Sequence, residues 1–284
     1  MIVQKAYAKL NIGLDIKGLR EDRYHEIDSI MQSIELGDRI TFGGKERGIE
    51  FWCDDASIKN SENTAMIAAQ LFMKEMKIQE GVKIDLYKTI PVSSGLGGGS
   101  TDAAAVLRGL NFMFKKGLTY AELEKMSEKI GSDVPFCIKG GTQRVTGRGE
   151  VLKTLKPFSD VWFVILKPKE TVDTSWAYKE YDKAKDVVRP DMDLIQGLME
   201  KRDLRVLDGK IINIFEKVVL PYRKTIETAK EELKATGAGS VFMTGSGSAV
   251  AAMYYEMKDA SMAYTLLSKK YSDLFITKTS GGLL

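Results

Sequence analysis

The stretch PVSSGLGGGSTDAAAVLRGLN, residues 91 to 111, follows a segment of strict apolar–polar alternation and runs into an alanine-rich, helix-forming segment. In VKIDLYKTI, Val82, Ile84 and Leu86 fall on one face and Lys83, Asp85 and Tyr87 on the other, which predicts a strand. The unit therefore reads strand, glycine loop, helix. Glycines at 95, 97, 98 and 99 let the backbone take positive φ and come close to a ligand. The first amides of the following helix lack intrahelical partners, and successive amides of such a loop form a concave nest. Both features favour an anion, so the loop reads as a cradle for a di- or triphosphate.

Common nucleotide loops do not fit. No lysine follows the glycines, as G-x-x-x-x-G-K-[ST] requires, and G-x-G-x-x-G fails at Ser100 or Asp102. The H-R-D and D-F-G triplets of protein kinases are absent. Asp102, read here as lying in the first helical turn, either pairs with the helix dipole or stands beside a cation that bridges it to phosphate. A magnesium–nucleotide complex is then a reasonable ligand. Ser100 and Thr101 either cap the helix or offer hydroxyls to the metal.

Outward from the loop, residues 3 to 16 read as a strand interrupted by Lys9 and Asn11, which share a face if the strand is regular. DSIMQSIEL and DRITFGG read as two further strands, with turns at Gly37-Asp38 and Gly43-Gly44. A helix opens at Ser61 as N-cap, and SDVPFCIKGG opens a turn-and-strand unit. The pattern restarts near residue 156 with DVWFVILKP; a polar helical stretch, a helix ending at Gly237, a second glycine-rich turn and a closing helix and strand follow. The fold class is α+β in two packed halves, 1–155 and 156–284.

Composition narrows the function. The 284 residues carry a formal charge of +3 with no basic block or aromatic–basic stripe, so nucleic acid is not an expected partner. No apolar run approaches the ~20 residues of a membrane span, and MIVQKAYAKLNIGLDI does not read as a signal peptide. Two distant cysteines and one histidine, His25, argue against a zinc or haem site, and no side chain is assigned as a metal ligand. Free thiols suit a reducing compartment, so a cytoplasmic location is expected.

Four segments, in order, carry a family resemblance. The loop segment resembles the ATP-binding motif of the GHMP kinases, which include galactokinase, homoserine kinase, mevalonate kinase and phosphomevalonate kinase. TGSGSAVAAM, residues 244 to 253, resembles their C-terminal glycine motif. Residues 6 to 40 and IGSDVPFCIKGG resemble the branch acting on a diphosphocytidyl-methylerythritol alcohol. The resemblance implies two α+β domains with the site in the cleft between them, and transfer of the ATP γ-phosphate to the 2-hydroxyl of that alcohol.

It also implies residue roles. Asp133 matches the catalytic aspartate that takes the hydroxyl proton, and Lys9 its cationic partner; read without the family, Asp133 is a turn residue before Pro135 and Lys9 a solvent-facing strand residue. Asn11 falls on the sugar-alcohol part of the substrate. Tyr24 falls on one face of the cytosine, His25 on its edge and Tyr178 opposite, with Thr174 also in contact and Trp176 competing with Tyr178. The ATP site takes Asn63, Lys88, Pro91, Ser93, Ser94, Gly95, Leu96, Gly97, Gly98, Gly99, Ser100 and Thr101. Asn63 is otherwise a first-turn helix residue and Lys88 a solvated strand end. Glu21 and Arg23 stand where the family most often has proline and glycine, and a missing glycine restricts the turn before Tyr24.

Overall fold

The computed structural model describes residues 1–58 and 63–282. The alternating segment forms β4 (Gly81–Tyr87), with Val82, Ile84 and Leu86 buried. It belongs to a six-stranded sheet with β1 (Ile2–Leu19), β2 (His25–Lys45), β3 (Ile49–Cys53), β5 (Thr142–Gly147) and β6 (Val151–Thr154). The order is β3-β4-β2-β5-β6, with β1 paired to β2; β3 and β4 are parallel and every other pair is antiparallel.

The long strand β2 corrects the expected turns at Gly37-Asp38 and Gly43-Gly44. β1 pairs with it along its length, and the register slips between Tyr7↔Gly37 and Lys9↔Ser33, so the extra β2 residues form a bulge. Gly37 is needed there for close approach, because a Cβ would lie 2.8 Å from the Ala6 carbonyl oxygen. Gly43 and Gly44 sit inside the ladder opposite Lys83 and Val82.

Helix α1 (Thr64–Glu75) is capped by Asn63, whose side chain accepts the Ala65 N–H at 2.8 Å; Ser61, the expected cap, lies outside the described residues. α2 (Gly98–Met113) starts inside the glycine run and buries Ala103, Ala104, Ala105, Val106, Leu107 and Leu110. α3 (Tyr120–Ser127) carries a Thr119–Glu122 capping box. The expected turn-and-strand at 132–141 is instead a short helix, α4 (Val134–Lys139), followed by β5. Pro135 suits its first turn. Buried Arg108 donates to the Cys137 and Ile138 carbonyls near its end, and burial lowers the guanidinium pKa to about 10.

A second sheet, all antiparallel, has the order β10-β7-β9-β8, from β7 (Trp162–Leu166), β8 (Ser240–Met243), β9 (Val250–Tyr254) and β10 (Leu274–Lys278). α5 (Thr174–Lys183), α6 (Met192–Glu200), α7 (Leu204–Leu207) and α8 (Glu216–Val219) lie between β7 and β8 in the chain. α9 (Lys224–Lys234) packs on β8 and β9, and α10 (Met257–Leu267) on β7, β9 and β10. The sheets are joined at the β2 bulge, where Ile34 bridges Thr279 and the Ser280 N–H donates to the Ser33 carbonyl at 2.8 Å. Ala8, Leu10 and Ile12 of β1 share one buried cluster with Phe163 and Ile165 of β7. Among the described residues no helix is long and apolar enough to cross a membrane.

Gly109 shows how tightly α2 lies on this sheet. A Cβ there would come within 2.4 Å of the buried Phe42 ring. Overpacking costs ~1–3 kcal/mol, while alanine in a helix gains at most ~1 kcal/mol over glycine. Gly109→Ala is therefore expected to lower the denaturant midpoint; a raised midpoint would show that the ring moves aside freely.

Candidate active site

The glycine loop is fixed by the elements around it. The Lys9 N–H donates to the Leu96 carbonyl at 2.9 Å, and the Ala249 N–H to the Ser94 carbonyl at 2.9 Å. The second glycine turn, residues 244–248, leans against the first so closely that a Cβ on Gly95 would sit 2.2 Å from the Thr244 carbonyl oxygen. Asn213 holds this turn by donating to the Met243 and Gly245 carbonyls, each at 2.7 Å. Gly97, at φ +73°, is the N-cap of α2, and no side chain caps the first turn, so neither Ser100 nor Thr101 is the cap.

A cleft of about 960 Å³ opens on one side of this loop and a smaller pocket of about 380 Å³ on the other. Ser93, Gly95, Gly97 and Ser100 line both, so the loop is the wall between them.

At the floor of the cleft Lys9 is 3% exposed, not solvent-facing. Its ammonium donates to Asn11 Oδ1 at 2.6 Å and lies 3.2 Å from Asp133 Oδ2. Regular alternation puts Lys9 and Asn11 on one face of β1, and Asp133 arrives at the start of α4. Asn11 Nδ2 also donates to Ser29 Oγ, and the Asn11 N–H to Thr244 Oγ1. A carboxylate, a buried cation and an amide thus converge beside the loop.

The smaller pocket combines Ile58, Ile90, Pro91 and Val92 with Asn63 and Lys88, a suitable seat for a flat heterocycle beside a phosphate nest. Lys88 is no solvated strand end. Its ammonium contacts buried Asp38 and donates to Asp102 Oδ2 at 2.7 Å. Burial works against the Lys88 charge, but Asp102 and Asp38 outweigh it and raise the pKa. Asp102 lies beyond the first helical turn; burial, with the charge of Asp38 beside it, pushes its carboxyl up to about 8. Asp38 also accepts the Thr89 and Ile90 N–H groups, which fixes the chain entering the loop.

The far end of the cleft is aromatic and charged. The turn before Tyr24 survives without its glycine, since Arg23 itself adopts φ +65°. A left-handed residue other than glycine costs ~1–2 kcal/mol. The Arg20 N–H to Tyr24 carbonyl bond (2.8 Å) and the Tyr24 N–H to Asp22 Oδ1 bond (3.1 Å) close that turn. Tyr24 is half-exposed under the Arg148 guanidinium. Tyr178 stacks on the His25 ring with centroids 4.5 Å apart. Burial, helped by the Asp133 charge, pushes the Tyr178 hydroxyl up to about 12, so it stays a neutral phenol. Trp176 instead packs edge-on to Tyr222 under Arg223 and does not line the cleft. Thr174 and Ser246 share a hydroxyl hydrogen bond of 2.8 Å across the cleft wall.

Family models for the GHMP kinases N terminal domain and the GHMP kinases C terminal region match residues 63–141 and 184–273. The chain belongs to the GHMP kinases. A Clostridium beijerinckii protein named 4-diphosphocytidyl-2-C-methyl-D-erythritol kinase is 42% identical over 276 residues, 97% of this chain and 99% of its own. One of the same name from Acetivibrio thermocellus is 39% identical, covering 97% and 98%. A crystal structure of 4-(cytidine 5'-diphospho)-2C-methyl-D-erythritol kinase superposes with a TM-score of 0.85 at 27% identity, covering 99% of this chain and 100% of that one. A structure of L. major mevalonate kinase, at 16% identity and TM-score 0.78, covers 100% of this chain and 97% of its own and shows the fold alone.

In this GHMP kinase, Lys9, Asn11, Tyr24, His25, Asp133, Thr174 and Tyr178 line one cleft. Asn63, Lys88, Pro91, Ser93, Ser94, Gly95, Gly97, Gly98, Gly99 and Ser100 line the adjoining pocket. Two residues do not face either. Thr101 is buried and donates to the Tyr7 carbonyl at 2.6 Å, anchoring α2 to β1, and the Leu96 side chain is buried in the core. Sequence reasoning missed Asp38, although an acid inside an apolar strand was its signal. It also missed Arg148 and Asp182, which carry no local signature.

The raised Asp102 pKa has a definite sign. The folded state binds this proton more tightly than the unfolded chain, so the stabilisation is full below the ordinary carboxylate range and is lost as pH rises through about 8. Asp102→Asn is expected to flatten the fall of Tm between about pH 4 and about pH 8. Equal slopes in both proteins would mean the carboxyl stays ionised against Lys88.

Proposed function

We propose that this chain transfers the γ-phosphate of ATP to the 2-hydroxyl of 4-diphosphocytidyl-2-C-methyl-D-erythritol, in the non-mevalonate route to isoprenoids. The observation that carries this reading is the Lys9–Asp133 pair, 3.2 Å apart, between a phosphate-cradling loop and an aromatic, histidine-bearing pocket. Adenine occupies the smaller pocket and the phosphates follow the loop into the cleft. Phosphoryl transfer has a loose transition state, so the protein mainly positions groups and stabilises charge.

Asp133 takes the proton from the attacking hydroxyl, and Lys9, 3.2 Å from that carboxylate, orients it and steadies the transferring oxygens. Asn11, its side-chain amide held between Lys9 and Ser29, orients the sugar alcohol. Tyr24, His25 and Tyr178 receive the cytosine, and Arg148 and Lys179 offset the diphosphate charge. Among the described residues no three acidic, cysteine or histidine side chains group closely enough to hold a bare cation. A magnesium ion would be held by the oxygen donors that line the cleft beside the loop, the Ser93 and Ser100 hydroxyls and Asp133. When bound, it neutralises phosphate charge.

We assign 1–155 to the ATP-binding half and 156–284 to the second half; the six-stranded sheet ending at Thr154 and the second beginning at Trp162 support that division. The free thiols of Cys53 and Cys137 suit the cytoplasm, and the partners are small molecules rather than nucleic acid or membrane.

The test is ADP release with the cytidyl substrate, its diphosphouridyl analogue, mevalonate and homoserine. Turnover is expected with the cytidyl substrate, and Asp133→Asn should lower kcat by ~10²–10⁴-fold. Turnover with mevalonate or homoserine instead would overturn the substrate.

A further inference from the structure

His25 is the single imidazole of the chain, and helix α5 grips it three times. Tyr178 stacks on its face, Tyr181 meets it edge-on at 6.4 Å, and Asp182 Oδ1 lies 2.8 Å from Nε2. Positions 178, 181 and 182 share one helix face, so a single element supplies all three contacts. The helix is itself anchored. The Tyr181 hydroxyl donates to the Ile16 carbonyl at 3.0 Å, and Arg189 donates to Asp15 and to that same carbonyl. The imidazole is therefore held across the mouth of the cleft by a residue 157 positions away in sequence.

An ionised carboxylate only accepts hydrogen bonds, so the ring nitrogen facing Asp182 must carry its proton. In the neutral imidazole the other nitrogen, Nδ1, is then an acceptor. Among the described residues Nδ1 has no hydrogen-bond partner, while His25 lines the cleft. Cytosine presents an amine donor at its 4-position, where uracil presents a carbonyl acceptor.

We propose that Asp182 is a positioning residue that sets the tautomer of His25, leaving Nδ1 as an acceptor that favours the cytosine amine and disfavours uracil. The inference rests on the cytidyl reading of the site above. Asp182 makes no contact with the reacting atoms; it acts through the ring. Its side chain is half-exposed, so replacing it leaves the core intact.

The lone histidine makes the test direct, because a 15N-histidine sample gives one imidazole spectrum. At about pH 8, where imidazoles are generally neutral, the wild type should show a protonated Nε2 and a bare Nδ1. Asp182→Ala should yield a mixed tautomer and lower the cytidyl-to-uridyl ratio of kcat/KM about tenfold, the effect of one hydrogen bond. Asp182→Lys places a donor opposite Nε2, so it should drive the proton to Nδ1 and lower the ratio further. The added positive charge favours both diphosphates alike and cancels in that ratio. The KM for ATP should stay unchanged in both variants. A protonated Nδ1 in the wild type, or an unchanged ratio in both variants, would overturn the proposal. Absence of cytidyl turnover in the wild type would overturn the functional reading and with it the base-reading role, while the spectrum alone still decides whether Asp182 sets the tautomer.

Discussion

An ammonium group 3% exposed to water is the constraint around which the cleft is organised. Removing such a charge from solvent costs several kcal/mol, and leaving it unpaired is not sustainable. Lys9 therefore needs an acceptor and a counter-charge within reach, which Asn11 and Asp133 supply. Its stem passes so close to the loop that a Cβ at Gly97 would fall 2.9 Å from Cγ. The same residue fixes its backbone N–H on Leu96. Loop conformation, strand register and the approach of α4 are thus all tied to one residue.

The two ends of the site solve opposite electrostatic problems. On the nucleotide side, Lys88 lies between Asp38 and an Asp102 carboxyl that holds its proton up to about pH 8, so the local field is nearly neutralised before any phosphate arrives. That leaves anion attraction to the loop amides and the uncapped α2 terminus, whose dipoles are fixed by the backbone. On the acceptor side, the side-chain cations of Arg23, Arg148 and Lys179 line the space where a diphosphate would lie. Backbone dipoles orient the group to be transferred, while side-chain charges meet the rest.

Much of this was legible in the sequence because it is local. Alternation gave β4 and the glycine run gave the loop; the spacing of Lys9 and Asn11 gave their shared face. Long-range effects were not legible. The Gly37-Asp38 pair looks like a turn because its chemistry suits one, yet pairing with β1 and the close approach of Ala6 make it part of a strand. Helix α4 was hidden because Gly131 to Pro135 reads as punctuation, whereas Arg108, thirty residues upstream, satisfies its carbonyls. The hydroxyl of Thr101 could not be assigned without knowing that the Tyr7 carbonyl lies beneath it. Asp182 gave no signal at all, since its partner lies on another element.

The seam between the sheets bears on how the molecule is made. The Asn11 backbone N–H donates to Thr244, and Ser33 and Ile34 are met by Ser280 and Thr279. Synthesis proceeds at ~5–20 residues per second, so the first strands wait on the order of ten seconds or more for these contacts. During that interval the nascent N-terminal half carries its glycine loop without the turn that braces it. A ribosome-bound fragment is therefore a cradle without its brace, and competence to transfer phosphate arrives only when the C-terminal strand closes the seam.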